Sequence, residues 1–368
     1  MAADAISFAR GAPSADILPR ELVREAAARA LESDWERALS YGTGRGHPRL
    51  CEWVANLHGV DLDQVMVTNG SLEGGALLFE HLVGPGDRVI VEQPSYDRTL
   101  LLLKRRGATL TGVPLDADGI NVGYLEETLE VGAGPKLVHI IPSFHNPAGC
   151  TLSDAKRHRL IELAADYELR ILEDDPYAEI YFHHDEPVPT MLSIDEGGRI
   201  VYASSFSKTV SPGVRVGYLV GPAAEIAALA KRANETYISP NMLAEAIVYE
   251  LCRSGGLAEN INMVRHSLRE RRDALVDSLR ELIPEADFVV PEGGYFLWLT
   301  LGGDVDCAEL LPVAKEEGVV FIPGADFMLE GGRASLRLSF ASVPVERIGE
   351  GVARLGRALD RVRSAALT

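Results

Sequence analysis

The sequence is poor in cysteine, in positive charge and in long apolar runs, and each shortage excludes a class of protein. The four cysteines, Cys51, Cys150, Cys252 and Cys307, lack the paired spacing of a metal site and favour a reducing, cytoplasmic location. Lysine and arginine number 36 against 54 acids, a net charge of −18, which disfavours nucleic acid and anionic membranes as partners. No apolar run is long enough to cross a bilayer, and the start of the sequence does not resemble a signal peptide.

What the chain does have is enough apolar residues for a large core. Its 368 residues are 46% hydrophobic, which predicts a soluble globular protein of about two domains. Between Val65 and Val220, short β-rich runs alternate with helical patterns, which predicts a mostly parallel sheet covered by helices on both faces. We predict seven strands in this region, at 64–68, 88–92, 109–114, 136–141, 170–173, 200–203 and 214–220.

The remainder of the chain predicts a smaller α/β unit. A long helix near 257–282 is followed by strands at 288–290, 295–300 and 335–340 and by a closing helix from Val345. We expect the long helix to link two domains, with the boundary where Gly255 and Gly256 interrupt the pattern. The large domain is then 33–255, and the small domain combines 1–32 with 256–368.

The stretch 202–218 contains one lysine, Lys208, among small hydroxyl residues. Apolar strands on both sides predict that this lysine is buried, and burial favours the neutral, nucleophilic amine. Ser205, Ser207 and Arg215 are suited to bind a phosphate. We place Arg215 on the predicted strand 214–220. Taken alone, the pattern Ser-Xaa-Ser-Lys is weak and is more typical of an ordinary polar loop.

Other polar residues follow predicted strands, and ligands of an open parallel sheet bind at the carboxyl ends of its strands. Gly70 and the free amides of Ser71 and Leu72 predict an anion site at a helix start, although Ser71 also suits a plain N-cap. Asn146, which precedes a proline, either directs its amide into a cleft or only forms a turn.

Three further motifs each allow two interpretations. One of the adjacent acids Asp174 and Asp175 either pairs with a protonated heterocycle or belongs to a solvated turn. Tyr96 offers an aromatic face to a ligand or packs in the core. Arg337, on an apolar strand, binds a carboxylate bidentately or lies at the surface.

Together and in this order, the motifs make the chain resemble the pyridoxal-phosphate enzymes of the aspartate-aminotransferase fold, class I/II. The resemblance is greatest to the branch with 2-aminoadipate aminotransferases and extends from about Ile6 to the end. It rests on ISFARGAP, YGTGRGHPRL, TNGSLEGG, EQPSY, IIPSFHNPAG, EDDPY, SSFSKTVSPGVRVGY, EGGYFLWL and LRLSF. It implies fold type I of the pyridoxal-phosphate-dependent transferases, with a large, mostly parallel seven-stranded sheet domain and a small α/β C-terminal domain.

The resemblance also implies roles around the cofactor ring. Lys208 would form the Schiff base with pyridoxal 5'-phosphate and move the substrate proton. Asp174, three residues before Tyr177, would pair with the pyridine nitrogen. Asn146 and Tyr177 would bond to the phenolic oxygen, and Tyr96 would stack on the ring.

Further implied roles concern the phosphate and the substrate. The residues that would hold the phosphate are Gly70, Ser71, Leu72, Ser205, Ser207 and Arg215, with Tyr41 reaching it from a second subunit of a homodimer. The residues that would contact the substrate are Arg337, Asn146, Arg10 and Gly11, with Arg337 on its α-carboxylate.

The implied reaction is amino-group transfer between an L-amino acid and a 2-oxo acid, expected to be 2-oxoglutarate, without a metal. Another pyridoxal-phosphate reaction, such as elimination, cyclisation or oxidation, is the alternative. The sensor half of a transcription regulator shares the fold, but the net charge of −18 does not suggest a DNA-binding module.

The chain departs from the family pattern at three positions. Leu72 and His145 stand where glutamine is frequent, and Arg10 stands where a glycine is usual. Arg10 forms either a salt bridge with one of the many acids or a contact with an acidic or polar substrate.

Overall fold

The computed structural model describes residues 5–182, 189–302 and 305–366. The strands in these ranges are β1 (Ile6–Ser7), β2 (Val65–Thr68), β3 (Arg88–Gln93), β4 (Thr109–Asp116), β5 (Gly119–Ile120), β6 (Leu137–Ile140), β7 (Ile171–Asp174), β8 (Ile200–Ser205), β9 (Gly217–Val220), β10 (Phe296–Thr300), β11 (Val319–Val320), β12 (Ile322–Pro323) and β13 (Ser335–Ser339). The helices are α1 (Arg20–Ser33), α2 (Trp35–Ala38), α3 (Pro48–His58), α4 (Ser71–Leu82), α5 (Asp97–Arg105), α6 (Val122–Glu130), α7 (Asp154–Asp166), α8 (Met191–Ile194), α9 (Ala223–Tyr237), α10 (Met242–Arg253), α11 (Gly256–Leu282), α12 (Cys307–Glu316) and α13 (Val345–Ala366).

The large sheet has the strand order β2-β9-β8-β7-β6-β3-β4-β5. Strands β3, β4, β6, β7 and β8 pair in parallel, and β9 lies antiparallel between β2 and β8. The sheet therefore has one strand more than predicted. The eighth strand, β5, is a two-residue hairpin partner of β4 and is too short to produce a recognisable pattern.

Alternate residues of the sheet enter cores on its opposite faces, as the apolar strands predict. Val67 packs with helices α1, α3 and α10, whereas its neighbour Met66 packs with α4, α5 and α9. Strand β9 is antiparallel to β2, β3, β6, β7 and β8. The segment before β9 therefore lies at the edge of the sheet where those five strands end. That edge carries the polar motifs.

Helix α11 joins the core of the large sheet to a second core. Its Leu257 and Ile261 pack beneath the large sheet, whereas Leu268 and Leu275 belong to a cluster built on β10, β13 and α13. This arrangement agrees with the predicted linking helix. The domain limits themselves stay a prediction, and residues 1–4, 303–304 and 367–368 of the small domain lie outside the described ranges.

Two strand predictions are wrong. The strand predicted at 214–220 begins later, and the strand predicted at 288–290 is not found. Arg215 is not on a strand: it follows a 3₁₀ turn at Pro212–Val214, has a left-handed φ of 52° and is exposed, and β9 begins only at Gly217. The turn-forming Pro212-Gly213 pair explains this interruption. Residues 288–290 form no strand, because Phe288 and Val290 pack against the small core without pairing in a ladder.

The N-terminal segment is tied to the far end of the chain. Strand β1 pairs in parallel with β11, and the carbonyl oxygen of Phe8 accepts a 2.7 Å hydrogen bond from the backbone of Ser339. These contacts carry Ala9 and Gly11 to the edge of the large sheet. None of the helices in the described ranges has the length and apolar character needed to cross a membrane.

Candidate active site

A cleft of about 530 Å³ opens at the edge of the large sheet where the strand ends meet. It brings together residues that lie far apart in the sequence. The predicted residues that line it are Gly11, Ser71, Leu72, Tyr96, Asn146, Asp174, Tyr177, Ser205, Ser207, Lys208, Arg215 and Arg337.

The amine of Lys208 lies inside this cleft, one turn after the end of β8. Its Nζ donates a 2.8 Å hydrogen bond to the carbonyl oxygen of Gly11 and lies 5.4 Å and 5.2 Å from the ring centres of Tyr177 and Tyr295. Burial and, to a lesser extent, the positive charges of Arg337 and Arg215 together lower the pKa of Lys208 to about 8. A substantial fraction of the amine is therefore neutral near physiological pH.

The two adjacent acids at the end of β7 point in different directions. Asp174 lines the cleft, and its Oδ2 lies 3.4 Å from Nε2 of the buried His139. Asp175 is 1% exposed and accepts a 3.1 Å hydrogen bond from Ser143. Burial raises the pKa of Asp175 to about 8, with a contribution from the charge of Glu173. Of the two, only Asp174 can meet a ligand in the cleft.

An anion-binding cradle lies at the start of α4. Gly70 has a φ of 95° and precedes the helix, and a side chain there would collide with the guanidinium of Arg215. Arg215 donates to the hydroxyl of Ser207 at 3.3 Å and to the carbonyl of Asn69 at 3.1 Å. Free helix-start amides, a guanidinium and a hydroxyl together form a donor set that suits a phosphate.

Arg337 supplies a second cation at the other side of the cleft. Only 7% exposed, it donates to Oδ1 of Asn146 at 2.9 Å and to the carbonyl of Ala9 at 2.8 Å. Its Cζ lies 4.2 Å and 4.7 Å from the ring centres of Phe296 and Phe327. Its Nε is buried and has no hydrogen-bond partner among the described residues. Because the residue lines the cleft, its guanidinium is placed to meet a carboxylate there.

The two predicted tyrosines of the cleft are held as neutral phenols. Burial raises the pKa of Tyr96 to about 12, and it raises that of Tyr177 well above its ordinary value. Tyr177 also packs at the edge of the Phe296 ring. Both hydroxyl groups therefore retain a proton to donate.

Three predicted residues do not line the cleft. Gly70 is the backbone residue that immediately precedes α4. Tyr41 is 84% exposed in the loop before α3. Arg10 is also exposed, and no ion pair joins it to another described residue, so the predicted salt bridge is not found.

Polar groups behind the cleft were not predicted from the sequence. His139 is a lone polar residue in an apolar strand, and its register beside β7 was the signal that could have placed it near Asp174. Glu92 and His145 form a fully buried pair, and Arg98 and Asp97 line the mouth of the cleft. The contacts of His139 with Asp174 and of Glu92 with His145 join segments that are distant in sequence.

Known proteins are similar to this chain over a range that includes all residues of the cleft. The family described as aminotransferase class I and II matches residues 3–355. The chain is 34% identical to aromatic-amino-acid aminotransferase 1 of Thermococcus litoralis, over 97% of this chain and 88% of that protein. It is 35% identical to 2-aminoadipate transaminase of Thermus thermophilus, over 96% of this chain and 90% of that protein.

Solved structures give the same result. The α-aminoadipate aminotransferase of Thermus thermophilus, complexed with N-(5'-phosphopyridoxyl)-L-leucine, superposes with a TM-score of 0.94 at 33% identity, covering 99% of this chain and 94% of that one. Pyrococcus horikoshii kynurenine aminotransferase gives 0.93 at 32% identity, covering 98% and 92%.

The environment of Lys208 predicts its titration. In cofactor-free protein, acetylation of Lys208 by a dilute amine reagent should reach half its maximal rate near pH 8, because burial and two cations favour the neutral amine. Peptide mass spectrometry measures this, with the exposed Lys231 as the reference in the same digest. Arg337→Gln should move the midpoint upward. A midpoint at the ordinary value of 10.5 would contradict the described environment.

The two acids should differ sharply on substitution. Asp174→Asn removes the one carboxylate of the pair that faces the cleft, and we expect turnover to fall by roughly 10²-fold or more. Asp175→Asn should be much milder, because Asp175 does not line the cleft and burial raises its pKa, so that an uncharged amide disturbs it less. Steady-state kinetics at pH 7 ranks the two variants, and the reverse ranking would refute the assignment.

Proposed function

From the premise that the chain belongs to the class I and II aminotransferase family, we propose roles in the reaction for Lys208, Asp174 and Arg337. The protein is a pyridoxal-phosphate-dependent aminotransferase that moves an amino group between an amino acid and a 2-oxo acid. The observation that carries the proposal is the Lys208 amine, buried between an anion cradle and a second guanidinium.

The cleft residues fit the cofactor group by group. The phosphate suits the cradle formed by the Ser71 and Leu72 amides, Ser205, Ser207 and Arg215, and a side chain at Gly70 or Gly217 would fill that cradle. We propose that Tyr96 packs on the ring, that Asp174 holds its nitrogen and that Asn146 and Tyr177 bond to its phenolic oxygen. When bound, pyridoxal phosphate supplies an electron-accepting ring that stabilises the charge left by loss of the Cα proton.

Each of three charged or basic groups then has one task. Nζ of Lys208 would hold the cofactor and, once released, would take the proton from the substrate Cα and deliver it to the former aldehyde carbon of the cofactor, a contribution of roughly 10²–10⁴-fold. The carboxylate of Asp174 keeps the proton on the ring nitrogen. The guanidinium of Arg337 binds the α-carboxylate and so orients the Cα–H bond toward Lys208.

We propose that the amino donor has an aromatic or large apolar side chain. Around Arg337 the cleft wall is made of Phe296, Phe327 and Ile322, which favour an apolar group. The relative from Thermococcus litoralis, named for aromatic amino acids, supports the same class.

The proposed acceptor is 2-oxoglutarate. Its α-carboxylate would occupy the same place on Arg337, and its second carboxylate requires another cation. The exposed guanidinium of Arg98 lines the mouth of the cleft, 3.5 Å from the carboxylate of Asp97, and can meet that need.

We further propose that the protein is a homodimer with shared sites, located in the cytoplasm. Tyr41 lies next to other exposed apolar side chains, with Trp35 53% and Leu39 64% exposed, as in a surface that a partner covers. From there the Tyr41 hydroxyl would reach the phosphate cradle of the second subunit. Four free cysteine thiols support a reducing compartment.

The proposed reaction is tested by following the amine. Purified protein with pyridoxal phosphate should convert 2-oxoglutarate to glutamate with phenylalanine or leucine faster than with 2-aminoadipate, measured by mass spectrometry. Borohydride reduction should fix the cofactor to the Lys208 peptide. Lys208→Ala should lose both results, whereas Lys231→Ala, with a side chain 78% exposed, should keep them. Label on another lysine, or product formed without a 2-oxo acid, would contradict the proposal.

Shared sites are tested by mixing two inactive variants. Lys208→Ala and Tyr41→Ala each damage a different part of the site. If Tyr41 acts across the interface, dissociating and reassociating an equal mixture should restore about a quarter of the wild-type activity, because each hybrid dimer keeps one intact site. An unmixed control of each variant gives the baseline. No recovery, although hybrids form, would assign Tyr41 to its own subunit.

A further inference from the structure

Behind the cleft, Glu92 in β3 and His145 in the loop after β6 form a buried pair to which the proposed reaction assigns no role. Each residue is 1% exposed. Nε2 of His145 lies 3.1 Å from Oε2 of Glu92, and the same oxygen accepts a 2.7 Å hydrogen bond from the backbone N–H of Ile141. One carboxylate therefore holds both ends of the short segment 141–145.

The hydrogen bonds of His145 determine its tautomer. The backbone N–H of Ala148 donates to Nδ1 of His145 at 3.2 Å, so Nδ1 must carry a lone pair. The ring proton then lies on Nε2 and is donated to Glu92. Every polar atom of the imidazole is thus used, and the ring has one orientation.

The backbone of His145 closes the same turn. Its N–H donates to the carbonyl of Cys150 at 2.8 Å, and its carbonyl accepts from Gly149 at 2.7 Å. Ring and backbone together make four hydrogen bonds from one residue. The residue that this turn presents next is Asn146, whose Oδ1 accepts the 2.9 Å hydrogen bond from Arg337.

We propose that Glu92 and His145 are positioning residues that hold Asn146 so that it fixes the guanidinium of Arg337 for the substrate carboxylate. The inference rests on the proposed function in that Arg337 binds this carboxylate. Glu92 orients the ring of His145, this ring fixes the turn, and the turn positions the amide of Asn146 beside Arg337. None of these groups except Asn146 lines the cleft.

Simple packing does not explain the pair. Oε1 of Glu92 is buried without a hydrogen-bond partner among the described residues, which costs stability that an apolar pair of similar volume would not cost. Hydrogen bonds, however, have directions, and they fix the turn more narrowly than contact between apolar side chains. The pair therefore sets geometry at the expense of stability.

Two substitutions of His145 separate geometry from packing in the holoenzyme. Leucine fills the space but cannot donate to Glu92 or accept from Ala148, whereas the amide of glutamine can do both. For His145→Leu we expect KM to rise roughly tenfold for both the amino acid and the 2-oxo acid, with kcat changed much less, because both substrates place a carboxylate on Arg337. His145→Gln should restore both KM values to within about twofold of wild type.

Two further measurements would stay unchanged if the pair had a purely structural role. They are the affinity for an unreactive carboxylate and the coupling between substitutions at Glu92 and His145. The affinity for 3-phenylpropionate, an unreactive carboxylate, should fall in His145→Leu as KM rises, measured by calorimetry. Glu92→Leu should act on the same connection, so the double variant should have a KM no worse than either single variant. His145→Phe, which keeps a planar ring, replaces the leucine variant if that variant does not fold.

Arg337→Lys distinguishes a wrong role for the buried pair from a wrong assignment of the carboxylate site. If it raises KM and His145→Leu lowers only the melting temperature, the pair is structural and the inference is wrong. If Arg337→Lys leaves KM unchanged, the carboxylate site itself is misassigned, and the role of the pair fails with it. Raised KM in both variants, with rescue by glutamine, supports the inference.

Discussion

The amine of Lys208 is buried in a cleft that already contains the guanidinium groups of Arg215 and Arg337. A charged ammonium there would be both desolvated and repelled, so the pKa of the amine is lowered, and the share of the neutral form, which is the one able to accept a proton, increases. Placing two cations nearby also defines two anion sites, one on each side of the amine. The chain as a whole has a net charge of −18, so anionic ligands depend on this local positive charge.

The sequence predicted the sheet well because long apolar runs in parallel strands depend on burial alone. It failed at Arg215, because the turn at Pro212-Gly213 interrupts what otherwise reads as one apolar strand. The position of Arg337 on an apolar strand was predicted, but its stacking between two phenylalanine rings was not. The resemblance to a family supplied the roles, and the pattern of residues supplied only their place at strand ends.

The second layer of the site was beyond sequence reasoning for a related reason. The role of a buried acid can be inferred only when its hydrogen-bond partner is known. The partners of Glu92 and Asp175 lie 53 and 32 residues away in the sequence. Arg157, on a helix, is completely buried and lies 3.5 Å from Glu173. Such groups look like surface residues in the sequence, because helix periodicity does not reveal that a polar side chain has entered the core.

The N-terminal segment places one carbonyl, that of Gly11, on Lys208 and another, that of Ala9, on Arg337, a residue 328 positions further along the chain. Both contacts require the pairing of β1 with β11, which joins the two ends of the sequence. During synthesis the first part of the site therefore waits until nearly all of the chain has emerged. The large sheet can assemble earlier, but the reactive amine gains its contact with Tyr295 and its neighbour Arg337 only after those later segments have been synthesised.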